Sequence, residues 1–257
     1  MGEVKKEVKA AATIGGAPIS WVALMGALLG GGTIIPIVYY IEGGGYHTLS
    51  YTLIALVACV LGPYGGAVAA IIGGVIGMFL APGAFIGHVW VILWNYAMPA
   101  LMAGLVIIRK WKWCVPVWIG GFIVYNAIPW YWPGPPAFPN PPQPFYLLSG
   151  WWDYLSIVWL LVLGRNIIPD WIRSDDSKKM AFALAFLHWI AAEIAHLWGW
   201  SYWVTLFVLP PELVAMIEAF SVPWERAVLM VLSALIGVPL LRALRRSGLR
   251  KIPNAAW

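Results

Sequence analysis

The sequence predicts an all-α fold, a polytopic helical membrane bundle with about eight transmembrane helices and both termini in the cytoplasm. Three observations carry this prediction. Hydrophobic residues make up 61%, charged residues 11%, and the mean hydropathy is +0.80, which leaves too little polar surface to cover a soluble domain of 257 residues. The apolar runs are roughly 18 to 25 residues long, whereas a transmembrane barrel needs alternating strands of about ten. Finally, every Lys and Arg except Arg226 falls at the end of an apolar run where all of them can share one side of the membrane.

The first span is read from about Pro18 to Ile41 and is followed by a turn at Gly43, Gly44 and Gly45. It is too long for a signal-peptide core and no small-residue cleavage site follows it, so Met1 to Trp257 reads as one mature transmembrane domain. A short second span covers Leu49 to Leu61. The Gly62-Pro63 step breaks the helix, because proline removes a donor and disfavours helical geometry in the residue before it. A third span then runs from Tyr64 to Leu80 and forms a hairpin with the second. Further spans are expected at His88–Ile108, Val115–Ile128, Trp152–Ile168, Met180–Val208 and Trp224–Leu244.

With a cytoplasmic N-terminus this order places inside Lys5, Lys6 and Lys9, then Arg109, Lys110 and Lys112, then Arg165, Arg173, Lys178 and Lys179, then Arg242, Arg245, Arg246, Arg250 and Lys251. The net charge of +5 is explained by orientation and anionic lipid contact, so no nucleic-acid partner is implied. Tryptophans cluster near span ends, as in Trp111 and Trp113 or Trp151 and Trp152, and fit interfacial belts. The proline-rich outer segment within 131–150, centred on the run from Trp130 to Phe145, cannot be helical; it reads either as a stiff lid or as a connector.

Small residues at Gly66, Ala70, Gly73 and Gly77 line one helix face and allow close helix packing, and Ala23 with Ala27 repeats the pattern in the first span. Intramembrane ionisable groups are costly and therefore functional candidates. His188, Glu193 and His196 lie on one span and can line one groove. A metal there needs further ligands from another helix, and no H-E-x-x-H pattern or cysteine cluster supplies them, so a mutually satisfied polar cluster is the favoured reading. A second set gathers at the outer face: Glu42, Tyr46, His47, His88, Trp90, Trp94 and Asn95, with Glu212 and Glu218 between the last two spans. Rings for stacking and a few polar atoms for orientation are what a small-molecule site requires. Cys59 and Cys114 imply no disulfide framework. No catalytic triad, phosphate-cradling loop or cofactor motif is present.

The segment YTLIALVACVLGPYGGAVAAIIGGVIGMFL, Tyr51 to Leu80, resembles the second and third helices of the substrate-binding S components of energy-coupling factor (ECF) transporters, with their L-G-P-x-x-G-A turn. The end of the chain, VPWERAVLMVLSALIGVPLLRALRR, is similar to their last helix, and Ala23 and Ala27 match the A-x-x-x-A face that docks to the coupling subunit. The resemblance implies a non-enzymatic plasma-membrane protein that captures a vitamin-like micronutrient outside the cell. It would deliver its ligand by toppling when a transmembrane coupling subunit and two ATPases engage it. Residues 18–130 would supply the S-component-like helices, 151–209 an extra helix pair beside a six-helix core, and 210–257 the last helix and basic tail. Gly2 stands where nickel and cobalt members carry histidine, which disfavours a metal cargo. Two other readings stay open: a non-catalytic scaffold subunit, and an intramembrane metal or redox subunit using His188, Glu193 and His196.

Overall fold

A computed structural model describes residues 12–40, 45–85, 88–127, 148–207 and 209–257. The long helices are all-α in character, with two short antiparallel strand pairs as the β structure among the described residues. Strands β1 (Thr13–Ile14) and β2 (Ala17–Pro18) lead into α1 (Ile19–Gly32). The expected first span is shortened at its far end. The run of β-branched residues after Gly32 forms β3 (Pro36–Tyr39), which pairs with β4 (Tyr46–Thr48), because Ile and Val fit a pleated strand and Pro36 has no amide hydrogen for a helix.

α2 (Leu49–Leu80) contains the break predicted at Gly62-Pro63. Gly62 has φ 75° and ψ 179°, a conformation that favours glycine. A Cβ placed on Gly66 would lie 2.8 Å from the Cα of Ala58. In a continuous helix, residues eight apart are separated by about 12 Å, so the arms 49–61 and 63–80 fold back on one another as a hairpin. The second arm also receives α1: a Cβ on Gly26 would come within 2.7 Å of Ile72 Cγ2, and one on Gly30 within 2.5 Å of Ile76 Cγ2. Gly66, Ala70, Gly73 and Gly77 are all buried, so this small-residue face is internal packing.

Then follow α3 (Ile92–Ile107), α4 (Cys114–Ala127), α5 (Trp151–Gly164), α6 (Ile167–Ile172), α7 (Ser177–Phe207) and α8 (Glu212–Arg246). Short π-helical stretches interrupt α3 at Ile92–Ala97, α5 at Leu160–Gly164 and α8 at Ile217–Ser221. The last helix starts well before the expected Trp224, because Pro210 and Pro211 already form a proper helix start.

Among the described residues, three helical stretches are by length and composition apolar enough to cross a membrane: α2 with its two arms taken together, α7 over Ser177–Val204, and α8. α1, α3 and α5 are shorter apolar helices. The exterior is apolar too, with Leu24, Leu28, Phe79, Val162, Trp224 and Leu235 all more than half exposed, as hydrocarbon surroundings require.

Three of the expected cytoplasmic basic segments share one end of the bundle. Arg173 Nη1 donates to the carbonyl of Ile107 at 3.1 Å, and Arg245 Nη2 to that of Ile172 at 2.5 Å, so cations sit on helix C-termini. Arg109 pairs with Asp170, and Arg242 donates to Ser177 Oγ at 2.6 Å. The lysines at 5, 6 and 9 lie outside the described residues. The last residues return to this end as well: Ala256 N donates to the Cys59 carbonyl at 2.7 Å and Trp257 Nε1 to the Val60 carbonyl at 3.0 Å. These are carbonyls at the end of the first arm of α2, which the break at Gly62 leaves without helical partners.

Candidate functional site

The two candidate sets seen in the sequence meet in one place. At about 1.5 Å per residue, Glu193 lies roughly 24 Å along α7 from Ser177, and Arg226 roughly 30 Å along α8 from Arg246, so both sit well away from the basic end. Arg226, the one cation that the sidedness pattern left over, is only 3% exposed and forms the centre of the site. Its Nη1 donates to His47 Nε2 at 2.6 Å, its Nε lies 3.2 Å from Glu193 Oε1, and its guanidinium lies 5.3 Å from the centre of the Tyr51 ring. Because His47 Nε2 accepts from Arg226 it carries no proton, so its 3.3 Å approach to Glu225 Oε2 is a contact rather than an ion pair. The His47 ring stacks on Tyr51 at 4.9 Å, and Tyr51 meets His188 edge-on at 5.9 Å.

On the same side of α7, His196 Nδ1 lies 2.7 Å from Asp153 Oδ1 and 3.6 Å from Glu193 Oε2. Asp153 comes from the start of α5. Glu218, from the π-helical stretch of α8, completes a group in which ligand atoms of Asp153, His196 and Glu218 all lie within 4.8 Å of one another. An inserted π turn re-aims side chains, and such turns are frequent at functional sites; the one in α3 carries Trp94 and Asn95. The expectation that Glu218 sits in an outer connection is corrected: it is fully buried in the bundle, because α8 already includes it.

A cleft with about 660 Å³ of empty space, its mouth included, opens beside these groups. Its walls bring His47, Trp94 and Asn95 together with His196, Glu225 and Arg226, and Trp200 and Trp203 complete the aromatic lining. Trp200 and Trp203 stack at 4.9 Å, and Trp200 continues onto His196 at 5.6 Å. The indole N–H groups of Trp94, Trp200 and Trp203 are buried without an acceptor. The site therefore offers ring faces for stacking, the feature that holds a flat molecule, while the three indole N–H groups lie closed off within its walls.

Of the outer-face candidates, Tyr46, His88 and Trp90 do not line this cleft. Trp90 is 53% exposed, and His88 instead contacts the Tyr202 hydroxyl at 3.1 Å. Glu42 and the proline-rich segment 131–145 lie outside the described residues. His188, Glu193 and His196 are all buried as expected. Glu193 faces both Arg226 and His196, while His188 Nε2 has no hydrogen-bond partner among the described residues. The tryptophans of α7 also depart from an interfacial belt: Trp189 stacks on Trp152 at 4.0 Å and Trp198 on Trp94 at 5.8 Å, inside the bundle. Sequence reasoning missed Asp153, Glu225 and the two cleft tryptophans of α7. The available signal was the isolation of Arg226, since a lone cation in a span requires acidic partners.

Comparisons with family models, with curated proteins and with solved structures find no match for this chain.

Proposed function

We propose that this chain is the substrate-capture subunit of an ATP-driven importer of a vitamin-like micronutrient. In this reading it crosses the plasma membrane eight times with both termini cytoplasmic, binds its ligand from the outer face and has no enzymatic activity. A transmembrane coupling subunit and partner ATPases supply the driving force. The observation that carries the reading is the cleft, in which stacked indoles, His47, Asn95 and Arg226 converge at the end of the bundle away from the basic segments. In this reading the hairpin of α2 counts as two of the eight crossings.

α1 supports the docking part of the proposal. Its glycines at 26 and 30 face α2, whereas Ala23 and Ala27 are exposed beside Leu24 and Leu28, so this second small-residue face is not used for internal packing. A flat face of this kind lets another helix approach closely.

The test is gentle purification followed by mass spectrometry of co-purifying proteins and bound small molecules, repeated with Ala23→Leu and Ala27→Leu together. The expected outcome is a coupling subunit and ATPases that are lost in the double variant, plus a bound aromatic molecule that is retained in it. Recovery of a stable set of other membrane subunits, with neither ATPase nor small molecule, would make the chain a scaffold instead.

A further inference from the structure

The importer reading leaves the deepest part of the site unused. Asp153, Glu193 and Glu218 are 0% exposed and Glu225 is 3% exposed, so four buried carboxyl groups surround the single guanidinium of Arg226. Arg226 is already engaged by Glu193 and His47. The carboxyl groups of Glu218 and Asp153 lie within hydrogen-bond range of each other, yet no N–H or hydroxyl among the described residues reaches either Glu218 oxygen or Asp153 Oδ2, so the pair needs a shared proton or a cation between them. Buried carboxylates are ordinarily paired, hydrogen-bonded or bound to metal, because stripping their water without replacement costs several kcal/mol each.

We propose that Asp153, His196 and Glu218 form a site for a divalent first-row transition cation. The three come from α5, α7 and α8, and their ligand atoms lie within 4.8 Å of one another. Two donors each about 2.1 Å from one ion stand at most about 4.2 Å apart, so the observed spacing needs only a small inward adjustment. The imidazole nitrogen selects zinc-like ions over magnesium and calcium, which prefer oxygen alone. Glu193 Oε2 lies 3.6 Å from the same His196 Nδ1 and adds a further carboxyl group beside the site. The ion is a resident of the bundle that ties three helices together at the floor of the cleft, which His196 also lines. The inference does not depend on the importer reading, since it requires neither a coupling subunit nor a captured ligand.

The experiment uses the full chain in detergent, stripped with a chelator and then titrated with Co²⁺ followed by its visible absorption, with Zn²⁺ content measured after gel filtration. The expected result is about one ion per chain, with binding weakened at least about tenfold in Glu218→Gln and in Asp153→Asn and unchanged in His188→Gln. A second readout does not need the variants to bind anything. In the stripped protein Glu218→Gln removes a carboxylate from a crowded acidic group and raises the unfolding midpoint, while Zn²⁺ raises the midpoint of the unsubstituted chain only. If the stripped chain takes up no Co²⁺ or Zn²⁺, or if Glu218→Gln and Asp153→Asn bind as tightly as the unsubstituted chain, the site is a set of carboxyl groups neutralised by protons and the proposal fails.

Discussion

Around α2, the bundle is built from notches and knobs. There is no Asp, Glu, Lys or Arg anywhere in 12–40 or 45–85, and α1, the two arms of α2 and α3 approach through glycines whose missing side chains are filled by Ile72, Ile76, Leu29 and Pro63. Across the bundle, α7 meets α5 and α8 through Asp153, Glu193, His196, Glu218, Glu225 and Arg226, all buried. The first region is held by shape, each of these glycine notches being filled by a neighbouring side chain. The second is complete only in part, with more acid than base. A membrane protein can afford such an imbalance where a ligand or an ion finishes the site, so the contrast locates function in the second region.

The largest expected effect comes from removing the centre of that second region. Arg226→Met leaves Glu193 and Glu225 buried without their cation and should cost about 3–5 kcal/mol, seen as loss of the monodisperse peak after heating in detergent. Adding Glu193→Gln to the same chain should recover part of the loss. No recovery would mean that the network is held by something other than charge.

In the first region the corresponding break is steric. A Cβ on Gly104 falls onto the backbone of Pro63, so Gly104→Ala should destabilise by about 1–3 kcal/mol in a denaturant titration. Its control is Gly31→Ala on α1, where a new Cβ meets nothing within 4 Å. There the better helix former should stabilise by about 0.5–1 kcal/mol, and equal losses at both glycines would remove the distinction between notch and open face.

The smallest effect belongs to the acid that immediately precedes α7 at the basic end. Asp176 accepts from the backbone N–H groups of Lys178 and Lys179, which hold its carboxyl below the usual range. A lowered folded-state value means that its contribution is present above the unfolded value, about pH 4, and is lost as pH falls through the folded one. Asp176→Ala should therefore lower the thermal midpoint slightly at neutral pH, with the gap closing below about pH 4. A gap that persists in acid would show that the side chain acts through something other than its charge.

The helical segments were legible because hydropathy reports burial in lipid directly, and the hairpin because proline and glycine at 62–63 permit little else. The outer-face set was half legible. His47, Trp94 and Asn95 reach the cleft, while Tyr46, His88 and Trp90, chosen by the same criterion of aromatic and polar character near a span end, do not. What separates them is the rotation of each helix about its axis, which composition does not specify. The acidic group was hidden for a different reason. The sequence offers two proline starts for the last helix, Pro210-Pro211 and Pro223, and choosing the second leaves Glu218 in a loop instead of the core. Asp153, His196 and Glu218 are also far apart in the chain, so no local spacing announces them.

The return of the last residues to the first hairpin sets an order of events during synthesis. The bond from Trp257 to Val60 spans 197 residues, and its neighbour from Ala256 closes the carbonyl of Cys59. Until those residues leave the ribosome, the turn at Gly62 must keep its open carbonyls wet. The hairpin is therefore made early and latched late, by residues synthesised long after its turn.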